Sequence, residues 1–196
     1  MNQQLIECVP NFSEGRDLGV IKQITNEIEC VDGVKLLDVD PGAATNRTVV
    51  TFVGTPQAVV LAAFKAIVKA GELIDMSKHS GEHARMGATD VCPFIPVANI
   101  SMKETAEWAT KLAQKVGEST DIPVYLYGES QPNKKRHVLS IIRAGEYEGF
   151  FEKIKKPEWK PDFGPMEYNA KSGATTIGAR DFLIAYNINL NTKSTR

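Results

Sequence analysis

The chain has 196 residues, 23 Lys and Arg against 24 Asp and Glu, a formal charge of −1 and 42% hydrophobic residues. This balance argues against a nucleic-acid or polyanion binder, whose phosphate affinity rests on excess Lys and Arg. No apolar run approaches the ~20 residues of a membrane span, and Glu7 interrupts the N-terminal apolar stretch before it can form a leader.

Residues 4–9 are apolar and β-branched and predict a short strand, ended by Pro10 because proline cannot donate to a ladder. Leu18, Ile21, Ile24 and Ile28 recur at helical spacing within 17–29, and Asp32-Gly33 signals a turn. A strand follows over 34–40, then a turn-rich connection, then a strand over 47–53 ended by Gly54. Thr55-Pro56 fits a helix start, and the long apolar run behind it predicts a helix with most of its circumference buried. Residues 75–90 break the periodicity with glycines, histidines and charges of both signs. The run 91–97 resumes as an apolar strand whose prolines predict an edge or a bend. Ser101 and Glu104 form a capping box ahead of a second amphipathic helix to Val116, and 122–128 is a strand. Residues 129–172 are irregular, and 174–190 read as a small-residue loop followed by an alternating strand.

The order is strand–helix–strand–strand–helix–strand, then helix and strand again. No helix separates the second strand from the third, so those two can pair antiparallel. This predicts an α+β fold: a two-layer sandwich with a mixed or antiparallel sheet and helices packed on one face, related to ferredoxin-like arrangements.

The densest chemistry lies in His79-Ser-Gly-Glu82-His83-Ala-Arg85-Met-Gly-Ala-Thr-Asp90. An imidazole takes and returns a proton near neutral pH, and a neighbouring Arg can hold an anionic group bidentately. The bland alternative is a solvated connection. His79, Glu82 and His83 also match H-x-x-E-H, a zinc-hydrolase pattern that requires a helix. Gly81 and Gly87 oppose one here, and no third ligand is obvious beyond Asp75 or Asp90. Cys8, Cys30 and Cys92 are odd in number and far apart, which argues against a disulfide framework or a thiolate zinc site and for the cytoplasm. Asp38 and Asp40 share one strand face, where Asp40 can orient a histidine or simply initiate the turn at Pro41-Gly42. Gly173 to Arg180 has P-loop-like spacing, but Ala179 and Arg180 replace the Lys and hydroxyl residue that nucleotide binding needs. Glu7 to Arg16 places polar residues just beyond a strand end, which suits a site or a plain loop.

Taken together, ECVPNFSEGRD, LLDVDPG, TNRTV, LIDMSKHSGEHARMGATDVCPFIPV, IPVYLYGE, IRAGEYEG and KSGATTIGARDFLIAYNINL resemble the glutamate formimidoyltransferases. These comprise the formiminotransferase domain of formiminotransferase-cyclodeaminase and its monofunctional bacterial relatives. The resemblance implies transfer of a formimino group between 5-formimidoyltetrahydrofolate and L-glutamate in histidine degradation. It implies His83 as general acid/base, Asp40 and Arg85 as active-site partners, and tetrahydrofolate as co-substrate with no metal. It implies folate contact by Gly164, Pro165, Met166, Glu167, Tyr168, Asn169, Ala170, Lys171, Ser172 and Gly173. Ala84 stands where some members have Pro. The family's transferase domain has two subdomains. Residues 1–180 correspond to the first, and 181–196 to its last strand and the start of a linker. A dimer, or pairing with the second subdomain, would then cover an apolar sheet face. Three other readings stand beside this one: a non-catalytic folate-binding or assembly module, a formyl-donor transferase, and the metal-dependent hydrolase using His79, Glu82 and His83.

Overall fold

Alternating burial builds the sheet. A computed structural model describes residues 3–184 and residue 192. Along β1 (Leu5–Cys8) and β4 (Arg47–Gly54), every second side chain is buried. β2 (Asn11–Phe12) continues the line of β1 beyond a break at Val9-Pro10. Antiparallel to β4 runs the edge strand β3 (Val34–Gly42), longer than the predicted 34–40 because its pairing persists through Pro41 and Gly42. On the other side of β1 and β2 lies β5 (Thr89–Ala98), also antiparallel. β7 (Thr175–Ala179) then pairs parallel with both β5 and β6 (Val124–Gly128). The sheet is mixed, as the order of elements predicts.

Two expectations are corrected. The prolines in 91–97 do not mark an edge: β5 is central and mostly buried. Pro93 is tolerated because it lies beside the β1–β2 break, where its carbonyl accepts from Val9 N–H and the ladder is already interrupted. The small residues Thr175 to Ala179 are not a loop but β7 itself, buried throughout between two strands. A Cβ on Gly178 would lie 2.1 Å from the Tyr127 carbonyl, so bulk there is forbidden. Residues 181–184 are not strand, and the rest of the predicted final strand lies outside the described residues.

Helices α1 (Leu18–Glu29), α2 (Pro56–Leu73) and α3 (Met102–Ser119) cover one face of the sheet. Asp17 caps α1, and the Ser101–Glu104 capping box opens α3, both by accepting backbone N–H groups that the first turn leaves free. Alanines 62, 63, 66 and 70 of α2 and 106, 109 and 113 of α3 let the helices approach closely over Phe52, Phe94 and Ile177. The opposite face is not left bare at its β6 end. There α4 (Leu139–Arg143) and α5 (Glu146–Lys153), both inside the stretch read as irregular, pack Ile142 and Phe150 onto Tyr125, Tyr127 and Val91. Beyond β5 this face is open, carrying Glu7, Asp38, Asp40 and Val49 on successive strands. It is mixed in polarity rather than apolar.

Candidate active site

The loop after α2 crosses this open face and is tied down at both ends. Asn46, in the left-handed region (φ +47), accepts from Gly15 N–H and donates to the Ser80 carbonyl. Ser13 donates to the Gly87 carbonyl. Gly173 (φ +64) pairs with Gly87, where a side chain on either would strike backbone. Inside the loop, Arg85 is buried. Its guanidinium forks onto Glu148 at 2.7 and 2.9 Å, reaches Glu146 at 3.1 Å and donates to His79 Nδ1 at 3.2 Å. His79 Nε2 then donates to the Asn46 carbonyl, so both of its ring nitrogens are engaged.

His83 takes a different direction. It lines a cavity of about 360 Å³ floored by Val91 and Pro93 and walled by Asn11, Arg47, Tyr127, Arg143 and Arg180. Its Nε2 lies 3.0 Å from Arg47 Nη1. A guanidinium can only donate, so Nε2 is the acceptor and the ring proton sits on Nδ1. Burial, then the charges of Arg47 and Arg143, push the His83 pKa down to about 4. The imidazole is therefore a free base at neutral pH. The buried Asp90 carboxylate binds Arg143 and accepts from Met86 N–H. Burial raises the Asp90 pKa, and Arg143 counters part of that rise. Three arginines around a neutral imidazole and an amide can hold an anion and accept a proton. A wider groove of about 550 Å³ beside α3, bordered by Lys103, Glu107 and Glu129, has no such convergence.

Residues 5–180 match the family described as formiminotransferase domain, N-terminal subdomain. The chain belongs to this formiminotransferase family. It is 58% identical over 187 residues to the formimidoyltransferase-cyclodeaminase of Gallus gallus, covering 95% of this chain and 35% of that protein. It is 50% identical over 192 residues to the glutamate formimidoyltransferase of Thermoplasma acidophilum, covering 97% and 63%. The corresponding figures for the Streptococcus pyogenes enzyme of that name are 42% over 189 residues, 96% and 63%. The chain thus spans about a third to two thirds of the length of these formiminotransferase relatives.

The predicted site residues separate in space. His83 alone of them lines the cavity. Arg85 turns away and clamps the loop to α5, so it has no free fork for a substrate carboxylate. Asp40 is exposed on β3 opposite Val49; His83 bonds to Arg47 instead, and Asp40 acts on Arg47 by its charge. The folate-predicted stretch Gly164 to Gly173 does not line this cavity. Pro165, Glu167, Tyr168, Asn169 and Ala170 border a separate hollow of about 320 Å³ with Asp121. Tyr168 packs on Tyr147, Phe150 and Phe151. Lys171 and Ser172 accept from Met76 and Ala88 N–H, bracing the histidine loop. The H-x-x-E-H segment is not a helix, and among the described residues no group of three His, Cys, Asp or Glu is placed to hold a metal. Sequence reasoning missed Arg47, Arg143 and Tyr127 as cavity residues, whereas Asn11 and Arg180 fall in the segments Glu7 to Arg16 and Gly173 to Arg180 that it singled out. The quoted blocks TNRTV and IRAGEYEG contain the first two, and nothing local distinguishes them from surface arginines.

Proposed function

We propose that the chain carries the catalytic histidine of a formimidoyltransferase acting between 5-formimidoyltetrahydrofolate and L-glutamate. The observation that carries this reading is His83, a neutral imidazole set among three arginines in a cavity suited to a carboxylate-bearing amine. His83 takes a proton from the glutamate ammonium. The amine then attacks the amidine-like carbon, a new N–C bond forms, and the bond to the folate nitrogen breaks as His83 returns the proton to that nitrogen. Arg47, Arg143 and Arg180 hold carboxylates, a role that leaves Arg85 to fix the loop. Asp90 positions Arg143. Tetrahydrofolate is a substrate in this scheme, and the residues of the cavity supply acid–base and electrostatic chemistry without a metal.

Folate contact through Gly164 to Gly173 falls, on this reading, to the hollow beside Tyr168. The strand order β3-β4-β1-β5 with its two crossing helices supports a ferredoxin-like first unit, to which β7 and β6 are added. Free thiols on Cys8 and Cys92, in contact at 3.5 Å within the core, fit a cytoplasmic protein. The open face beside β3 and β4 is the surface we assign to a second subdomain or a second copy.

The test is formimino transfer to glutamate in the presence of a chelator, for this chain and for His83→Ala. The variant is expected to lose about 10²–10⁴-fold in kcat. Full activity in His83→Ala, or loss of activity on chelation in the parent, defeats the scheme. Tyr168→Ala is expected to raise the folate KM while leaving the glutamate KM in place. A changed glutamate KM alone moves folate away from this hollow.

A further inference from the structure

Arg47 has an unusual set of partners. It sits at the start of β4, half-buried, opposite Gly42 of the edge strand. Arg85, Arg136 and Arg143 all meet carboxylates within salt-bridge distance. None of the described carboxylates does so for Arg47, whose Nε, like those of Arg136 and Arg143, is buried without an acceptor. Its partner is the His83 imidazole. A buried or half-buried guanidinium ordinarily finds an anion, because only a charge-assisted fork offsets its desolvation. The contact also occupies the Nε2 lone pair, the one that would receive a proton.

We propose that Arg47 is a latch on the general base: it holds His83 Nε2 by its Nη1, and a carboxylate of the amino-acid acceptor draws the guanidinium away and frees that nitrogen for the acceptor's own ammonium proton. Exchanging a neutral imidazole for a carboxylate converts an ordinary hydrogen bond into a charge-assisted pair and gives the orphaned Nε an acceptor, so it is favourable for Arg47. It also neutralises the nearest positive charge facing His83. The other groups around the ring stay in place: Arg143 paired with Asp90, Arg180 beyond β7, Tyr127 on β6 and Asp40 on β3. The base becomes stronger when the correct acceptor has bound. An amine without a suitably placed carboxylate leaves the latch closed and loses kcat as well as affinity. Arg47 is thus a positioning residue that ties acceptor choice to activation of the base.

This inference rests on the formimidoyltransferase reading for the identity of the acceptor, and its test does not. The His83 ring protons are followed by NMR against pH, with His83→Asn assigning the signal among the three histidines. The probe is succinate, a dicarboxylate without an amine. Saturating succinate is expected to raise the His83 midpoint by about one pH unit or more, a tenfold gain in proton affinity. In Arg47→Gln the midpoint is already raised and succinate moves it less than in the parent, because only Arg143 and Arg180 remain to hold a carboxylate. Arg47→Lys keeps the charge without the fork, so it keeps the low midpoint and answers succinate weakly. A wild-type midpoint that stays fixed up to the solubility limit of succinate overturns the latch, and this arm needs no variant of Arg47 to fold. Formimino transfer alongside such a fixed midpoint condemns the latch alone. A succinate-responsive midpoint with no transfer condemns the proposed reaction alone.

Discussion

His83 and His79 are four positions apart in one loop and have opposite fates. His79 is locked between Arg85 and the Asn46 carbonyl, a structural imidazole with no free nitrogen. His83 faces a cavity and, among the described residues, meets the single donor Arg47. Residue type cannot separate the two, since each has the same unperturbed chemistry; their neighbours on β4, α4 and α5 do. The low His83 pKa has a kinetic consequence. The acidic limb of kcat/KM reports the free protein, so it is expected near pH 4 rather than at the ordinary histidine value of 6.5. The limb of kcat reports the substrate complex and is expected higher, because bound carboxylates offset the arginines. Coincident limbs near pH 6.5 would mean that the arginines do not act on His83 as their positions imply.

The elements that matter most to the site are the two short helices within 139–153, where neither periodicity nor length announces a helix. α4 carries Arg143 into the cavity, and α5 carries Glu148 to Arg85. They are joined through a tight turn at Gly145 and Glu146, both in the left-handed region; glutamate there is uncommon and is held by Arg85. Lys153 fastens the pair: its Nζ donates to the carbonyls of Ile141, Ile142 and Ala144, which the end of α4 leaves without partners, and lies 3.8 Å from the Trp159 ring centre. Burial pushes its pKa down to about 8. Lys153→Met is expected to cost about 1–2 kcal/mol in urea unfolding and to lower kcat/KM through a loosened Arg143. Unchanged kinetics with lowered stability would show that α4 is held in place by Ile142 alone.

Across the molecule, one sheet separates a large helical core from a smaller aromatic one, and the histidine loop is pinned between the β3–β4 turn and the entry to β7. The site is therefore coupled to global stability through protons. His83 binds its proton at about 4 when folded and near 6.5 otherwise, so between those values the unfolded chain takes up a proton that the native one refuses. This contribution is intact above pH 6.5 and is lost as pH falls through 4. Asp90 acts with the opposite sign, since its pKa is raised in the fold and its contribution is lost as pH rises. Denaturation of the parent and of His83→Asn at pH 7 and pH 4.5 is expected to show the smaller acid loss in the variant. Equal losses would place the acid sensitivity elsewhere.

Much of this protein is legible one residue at a time. Caps, alternation and helical spacing act over a few positions, so Asp17, the Ser101–Glu104 box, the helices α1 to α3 and most strands can be read from the chain alone. So can the family and the candidacy of His83, because both reside in contiguous blocks. The central place of β5, the strand identity of Thr175 to Ala179 and the existence of α4 and α5 cannot, because each depends on what lies alongside. The same holds for the cavity. Arg47 and Arg143 become part of a site only when β4 and α4 bring them to His83, and Arg85 leaves it only because α5 supplies two glutamates. Charge–charge interactions depend on distance in space, and that distance is set by packing rather than by sequence separation.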